Sequence, residues 1–390
     1  MKNERSVILH KGIYKKTATV GEAVFMITGM TIGAGVLGVP YVVAQVGLVT
    51  GLVYIFILGL VMMSLNLIIG EVAVRTRENL QLPGLAGKYL GGWAKRLMSI
   101  IIIFAGYGSL LAYIVGEGEA LSALFGGDPV WWSIFFWSIG SFLIWRGLQT
   151  IKKAERILSI IVITIIVSLS LYILRDFHPV AWQYFNWSKI FLPYGVILFA
   201  LNASPAIAEV HALLPGSQRR FRKAVIIGTM IPTFVYMLFA LAVVGVTGLA
   251  TTEVATVGLG QKFGSGILIL ANLFAILAMG TAFMGLGMAL KQVFVWDHKL
   301  PKWVADFLVI IVPLALFAAG FRSFIVILDF VGGVFIGLEA IIMVLACWNA
   351  RYKSKINPVR YSLPHFWLLA VPVLLVFTAI TVYSILELFI

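Results

Sequence analysis

The chain has 390 residues, 61% of them hydrophobic and 12% charged, with a formal net charge of +13. A water-soluble domain cannot hide that much apolar surface, so the composition excludes one and places the chain in a lipid bilayer. A strong basic excess also suits a nucleic-acid binder, but the distribution of the charge, described below, argues against that partner.

The amino terminus, MKNERSVILHKGIYKK, is basic but has no apolar core or small-residue cleavage site, so no cleaved signal peptide is expected. Eleven apolar segments follow, expected as spanning helices over roughly 19–47, 50–74, 96–125, 130–147, 151–174, 187–214, 223–248, 264–290, 303–321, 323–349 and 363–388. The fold class is therefore an all-α polytopic membrane protein with eleven transmembrane helices, a single transmembrane domain over residues 1–390. The short alternating strands of a membrane barrel are not seen.

The first span contains GMTIGAGVLGVP, Gly29 to Pro40, with four glycines and a proline inside an apolar segment. Each interior glycine costs about 1 kcal/mol of helix stability relative to alanine, and proline costs more. A broken helix is expected here. Gly29 and Gly33 also form a GxxxG pair, as do Gly333 and Gly337, which suits close helix packing. Glu22, near the start of this span, is expected to pair with Lys15 or Lys16. Between the second and third spans, LPGLAGKYLGGWAK is expected to lie amphipathically on the membrane surface.

The third span carries Tyr107, Tyr113, Glu117 and Glu119. The two glutamates lie two positions apart and point to nearly opposite faces of a helix. Trp131, Trp132, Trp182 and Trp187 fall at expected outer span ends, where indole rings anchor at the interface.

The sixth span reads WSKIFLPYGVILFALNASPAIAEVHALL, with Asn202, Ser204 and Pro205 at its centre. A second break is expected there, Ser204 capping the inner half and Pro205 taking its first helical position. Two interrupted spans, five apart and opposite in direction, are the mark of an inverted repeat, with halves over 19–174 and 187–349 and an additional span over 363–388. Irregular backbone at membrane depth is tolerated only inside protein or beside a wet cavity. The two breaks expose helix ends of both polarities: N–H groups near Val36, which attract a carboxylate, and carbonyls near Phe199, which attract an ammonium. A zwitterionic amino acid supplies both charges.

Of the 29 Lys and Arg residues, 25 fall on one side of this span map. By the positive-inside rule that side is the cytoplasm, which puts the N-terminus inside, the C-terminus outside and the protein in the cell membrane, the prokaryotic cytoplasmic membrane being expected. The surplus charge then sets orientation and meets anionic lipid, with no nucleic-acid partner. The single cysteine, Cys347, and five scattered histidines offer neither a disulfide nor metal-ligand spacing, and no nucleotide loop or catalytic constellation is present. No cofactor, no metal and no enzymatic activity are expected.

GMTIGAGVLGVPY resembles the first-helix motif of the amino acid/auxin permease family and of bacterial aromatic amino acid permeases, within the amino acid–polyamine–organocation superfamily. FALNASPAIAEV is similar to their sixth helix. The resemblance covers nearly the whole chain. It implies a five-plus-five, leucine-transporter-like fold and ion-coupled uptake of a neutral amino acid by alternating access. It further implies that Thr31, Gly33, Ala34 and Gly35 meet the substrate carboxylate, and that Phe199, Ala200 and Asn202 meet its amine and side chain. Thr28, Gly29, Tyr113 and Ser204 complete the expected lining. Many relatives carry histidine or a larger residue where this chain has Asn-Ala-Ser, so substrate identity does not follow from the likeness.

Sodium-coupled members of that fold use two adjacent hydroxyl residues in the eighth helix, where this chain has only Thr281, flanked by Gly280 and Ala282. Protons are therefore the favoured coupling ion, with sodium the alternative. A proton route needs a titratable group inside the membrane. Glu22, Glu117, Glu119, Glu209, Asp329 and Glu339 are available. Glu119, Glu209 and Asp329, with Thr281 for sodium, are the coupling candidates. Asp329 is expected either to bind a proton or to be neutralised by a group such as Arg322. The main rival is a receptor subunit that keeps a transporter fold and senses an amino acid without moving it, as in spore-germinant receptors. A metal-ion transporter of the same fold would find only Met30 and Thr31 as ligands at the first break.

Overall fold

The computed structural model describes residues 19–76, 80–146, 151–178, 184–214, 218–353, 363 and 365–387. Sixteen α-helices make up most of this chain, and no strand occurs among the described residues. They are α1 (Val20–Thr31), α2 (Gly35–Val46), α3 (Leu48–Thr76), α4 (Leu82–Leu90), α5 (Gly92–Phe125), α6 (Pro129–Arg146), α7 (Ile151–Ile173), α8 (Pro193–Ala200), α9 (Ser204–Leu213), α10 (Gln218–Thr247), α11 (Ala255–Phe263), α12 (Ser265–Gln292), α13 (Lys302–Ala318), α14 (Phe324–Phe330), α15 (Gly337–Lys353) and α16 (Phe366–Glu387). A π-helical turn, Val331–Ile336, joins α14 to α15.

Among the described residues, six helices are long and apolar enough to cross a membrane alone, and seven if the bent α1–α2 pair counts as one span. This is a multi-pass membrane protein. The surface pattern agrees. On α3, Val49, Val53, Phe56, Ile57 and Leu60 are exposed at helical spacing, while Ile55, Leu58, Met62 and Leu65 are buried. A helix whose outward face is apolar is solvated by lipid, not water. Trp131 and Trp187 are among the most exposed aromatic side chains, and the Trp132 indole donates to the Gly126 carbonyl. Trp182 lies outside the described residues.

Local chemistry explains the helix ends. Thr19 and Glu22 form a capping box at α1: the Thr19 hydroxyl accepts from the Glu22 amide, and the Glu22 carboxylate accepts from the Thr19 amide at 2.9 Å. Glu22 thus serves its own helix start, and Lys15 and Lys16, its expected partners, lie outside the described residues. The sixth apolar segment becomes regular helix only at Pro193, later than the expected 187, because proline's fixed φ and missing N–H suit a first turn.

Helix α4 does not lie free on a membrane surface. It buries Leu82, Pro83, Leu85, Ala86 and Tyr89 and packs against α5 and α15. Lys88 donates to the Thr76 carbonyl and Asn349 donates to the Tyr89 carbonyl, so protein satisfies the face that lipid was expected to take. Near the same end of α3, Glu71 is fully buried between Arg75 (2.8 Å) and Arg351 (2.6 Å), and it also accepts from the Leu363 amide. This network ties α3 to α15 and to the segment entering α16.

The GxxxG pair at Gly333 and Gly337 seats α16. β-Carbons at these positions would stand 2.1 and 2.0 Å from the hydroxyls of Ser384 and Thr381, and Thr381 donates to the Gly333 carbonyl. The close approach exists because these two residues have no side chain.

Candidate functional site

Both expected breaks are present. α1 ends at Thr31, Ile32 is extended (φ −82°, ψ 94°), and α2 begins at Gly35, bent 59° from α1. α8 ends at Ala200, and α9 starts at Ser204 with Pro205 in its first turn. The cap on α9 comes from Asn202, not from Ser204: the Asn202 side-chain oxygen accepts from the Ser204 amide at 3.0 Å. Asn202 is outside the helix and free to turn its oxygen back on the amides, whereas Ser204 is already the first helical residue.

The breaks lie against each other. A β-carbon at Gly35 would stand 2.4 Å from Ala200 Cα and 3.1 Å from its nitrogen, so the start of α2 touches the backbone end of α8. The two are clamped from α10. The Tyr236 hydroxyl donates to the Thr31 carbonyl (2.8 Å), with the Ala200 carbonyl a second acceptor at 3.2 Å. One hydroxyl proton cannot saturate two carbonyls, each with two lone pairs. The carbonyl ends of α1 and α8 therefore converge at one place, beside the N-terminal end of α2. That juxtaposes negative and positive helix-end partial charges.

Gly33 lies on the other side of the first break. A β-carbon there would stand 3.4 Å from the Tyr113 hydroxyl on α5 and 3.4 Å from Ala282 Cβ on α12. Residues 31–35 are buried, as are Ala200, Leu201, Ala203 and Ser204, while Phe199 and Asn202 are half-buried.

The structure thus gathers Thr31, Gly33, Ala34, Gly35, Tyr113, Ala200, Asn202 and Ser204 around the paired breaks. Other expected residues turn elsewhere. The Thr28 hydroxyl donates to the Gly228 carbonyl across the α1–α10 interface. The Thr31 hydroxyl donates to Ile27 of its own helix, leaving its main-chain carbonyl as the group presented to Tyr236. Gly29 precedes the break within α1. The Thr281 hydroxyl donates back to the Leu277 carbonyl.

The acidic candidates separate. Glu119 is half-buried on a cavity of about 340 Å³, lined also by Ser122, Pro129, Val257, Gln261 and Leu268. Asp329 packs on α8, its carboxylate 2.2 Å from where a Gly195 β-carbon would stand. The Arg322 guanidinium donates to the Phe317 carbonyl and lies over the Phe317 ring. Glu209 falls on α9, its side chain outside the described residues. Glu339 on α15 is buried, with its carboxylate beside the Ser204 hydroxyl.

Tyr236 was not anticipated from the sequence. Its one signal is a phenol at mid-segment in the apolar run PTFVYMLFALAVV. A buried tyrosine requires a partner for its hydroxyl, but sequence does not say which.

Residues 16–383 match the sequence profile of the tryptophan/tyrosine permease family. The chain belongs to that family. Its curated relatives include glutamine transporter 2 of Aliivibrio fischeri, 27% identical over 359 residues that cover 87% of this chain and 90% of that one. Tyrosine-specific transport system 2 of Haemophilus influenzae is 26% identical, covering 89% and 91%. Among solved structures, MhsT in complex with L-phenylalanine superposes with a TM-score of 0.71, at 15% identity, covering 96% of this permease and all of that chain. At that identity the likeness establishes a shared fold. Family and relatives together make this permease an amino acid transport protein.

Proposed function

We propose that this permease is a secondary active symporter of a neutral amino acid, coupled to protons, that works by alternating access in the cell membrane. The observation that carries the reading is the contact of Gly35 with Ala200 under the Tyr236 hydroxyl. It puts the carbonyl ends of α1 and α8 beside the amide end of α2, a pair of poles matched to an ammonium and a carboxylate on one carbon. In this reading the carboxylate meets the backbone of Thr31 to Gly35, with the Tyr113 hydroxyl as a further donor. The ammonium meets the carbonyls of Thr31 and Ala200, and the side chain is sensed by Phe199, Asn202 and Ser204, with Thr28 and Gly29 supporting the first break.

The same proposal takes the chain as eleven spans. The helix pairs α1–α2, α8–α9 and α14–α15 each form one, α4 and α11 do not cross, and residues 19–174 and 187–349 are inverted repeats. The basic loops then face the cytoplasm, with the N-terminus inside and the C-terminus outside. The names of the relatives and the ligand of the superposed structure point to aromatic amino acids and glutamine as the first substrates to try.

The test is uptake of labelled tryptophan, tyrosine, phenylalanine and glutamine into proteoliposomes, with pH and sodium gradients imposed separately. Accumulation driven by an inside-alkaline gradient is expected. Accumulation under sodium alone would replace the coupling ion. Saturable binding with no accumulation under either gradient would replace the symporter with a sensor.

A further inference from the structure

The site described above makes no use of Glu117. Glu117 of α5 is completely buried, and neither carboxylate oxygen has a hydrogen-bond partner. It faces bare backbone: Oε1 would lie 3.6 Å from a β-carbon at Gly280 of α12, with the Phe136 ring of α6 near the same point. An isolated carboxylate ion away from water and from any cation is so unfavourable that the neutral acid is the form such a setting accepts.

Among the described residues, the charged groups on the elements packed against α5 are engaged elsewhere. On α5 itself, Glu119 turns to the separate cavity. On α12 and α13, Lys291 and Asp306 pair with each other. Lys291 lies eleven positions along α12 from Gly280, about 16 Å along a helix. On α6 the ionisable residue is Arg146, at the far end over the Phe142 ring. Lys262 of α11 donates to the Val246 carbonyl, and nearby Glu253 accepts from the Ile325 amide. Asp329 of α14 packs on α8 at Gly195, Glu339 of α15 stands beside Ser204, and Lys88 of α4 donates to the Thr76 carbonyl.

Position gives this group a purpose. Glu117 follows Tyr113 by one helical turn, and Gly280 precedes Ala282 by two residues. Tyr113 and Ala282 are the two side chains that close over Gly33 at the first break. The α5–α12 seam therefore covers both the substrate-facing backbone and the buried acid. A movement that opens Gly33 to water shifts the wall over Glu117 as well.

We propose that Glu117 is the residue that carries the co-transported proton, held between α5 and α12 while the breaks are closed and exchanged with water when that seam opens. The proposal rests on the proton-symport reading and assigns its proton to one side chain.

Glu117→Gln keeps the shape of the neutral acid and cannot release a proton. In proteoliposomes, Glu117→Gln is expected to exchange labelled amino acid at equal pH on both sides, using whichever of tryptophan, tyrosine, phenylalanine or glutamine the wild type exchanges. It is also expected to lose accumulation against a gradient when the interior is made alkaline. An entrapped pH dye should report substrate-induced proton entry in the wild type and none in the variant. Gradient-driven accumulation by Glu117→Gln at the wild-type level would overturn the assignment. So would loss of both exchange and substrate binding in a monodisperse variant, which would make Glu117 part of the binding machinery or the packing. A wild type that exchanges substrate but ignores the pH gradient would overturn the proton-symport reading itself.

Discussion

The Tyr236 hydroxyl stands 2.8 Å from the carbonyl oxygen of Thr31, donating across 205 positions of sequence to the last helical residue before the first break. The same oxygen lies 3.2 Å from the Ala200 carbonyl at the second break. A single phenol thus holds two interrupted helices in register, and the first prediction concerns its removal.

Tyr236→Phe leaves the ring and deletes the clamp. Two buried carbonyls lose their shared donor, a cost of about 1–3 kcal/mol. The expected result is a lowered thermal midpoint, and amino acid affinity weakened by about tenfold or more if the clamp sets the spacing of the poles. Thermal unfolding in detergent and equilibrium binding check the two parts. Unchanged affinity would separate Tyr236 from the site.

Gly33 and Gly35 are expected to respond differently to alanine. At Gly33 the new methyl meets Tyr113 and Ala282 at 3.4 Å, a contact that small side-chain adjustments absorb. At Gly35 it meets Ala200 backbone at 2.4 Å, which forces the two breaks apart. Overpacking of this kind costs typically about 1–3 kcal/mol. Gly33→Ala should retain measurable uptake, while Gly35→Ala should lose it with the protein still in the membrane. Equal uptake by the two variants would argue against the closeness of the breaks as the basis of transport.

Asn202→Ala removes the acceptor for the Ser204 amide. Loss of such a cap costs about 0.5–2 kcal/mol and falls on the first turn of α9, next to Glu339. Asn202→Asp and Asn202→Ser keep an acceptor and should restore stability. If they also restore uptake, Asn202 acts through the helix start. If stability returns without uptake, its amide contacts substrate.

Glu71→Gln tests a region outside the site. The charge that Glu71 supplies to Arg75 and Arg351 is buried, so neutralising it removes the counter-ion these two guanidinium groups share. Breaking a buried pair in this way costs about 3–5 kcal/mol. The yield of folded protein and the thermal midpoint should fall, while uptake per folded molecule stays near wild type. A selective loss of uptake with normal stability would place this network in the transport cycle.

The sequence by itself determined the membrane setting and the position of both breaks. Apolar run length is a property of contiguous residues, and so is the helix-weakening effect of GMTIGAGVLGVP and of Asn-Ala-Ser-Pro. Both could be read locally, to within a few residues, and the opposed faces of Glu117 and Glu119 followed from helical geometry. The tertiary structure alone decided that Gly35 rests on Ala200, that Tyr236 reaches both carbonyls, that α4 packs on protein, and that Glu117 is sealed while Glu119 borders a cavity. Those outcomes depend on how each helix is rotated and which helix lies beside it. Rotation and neighbour are set by close packing among residues far apart in the chain, and an almost uniformly apolar helix carries little one-sided pattern from which to infer them.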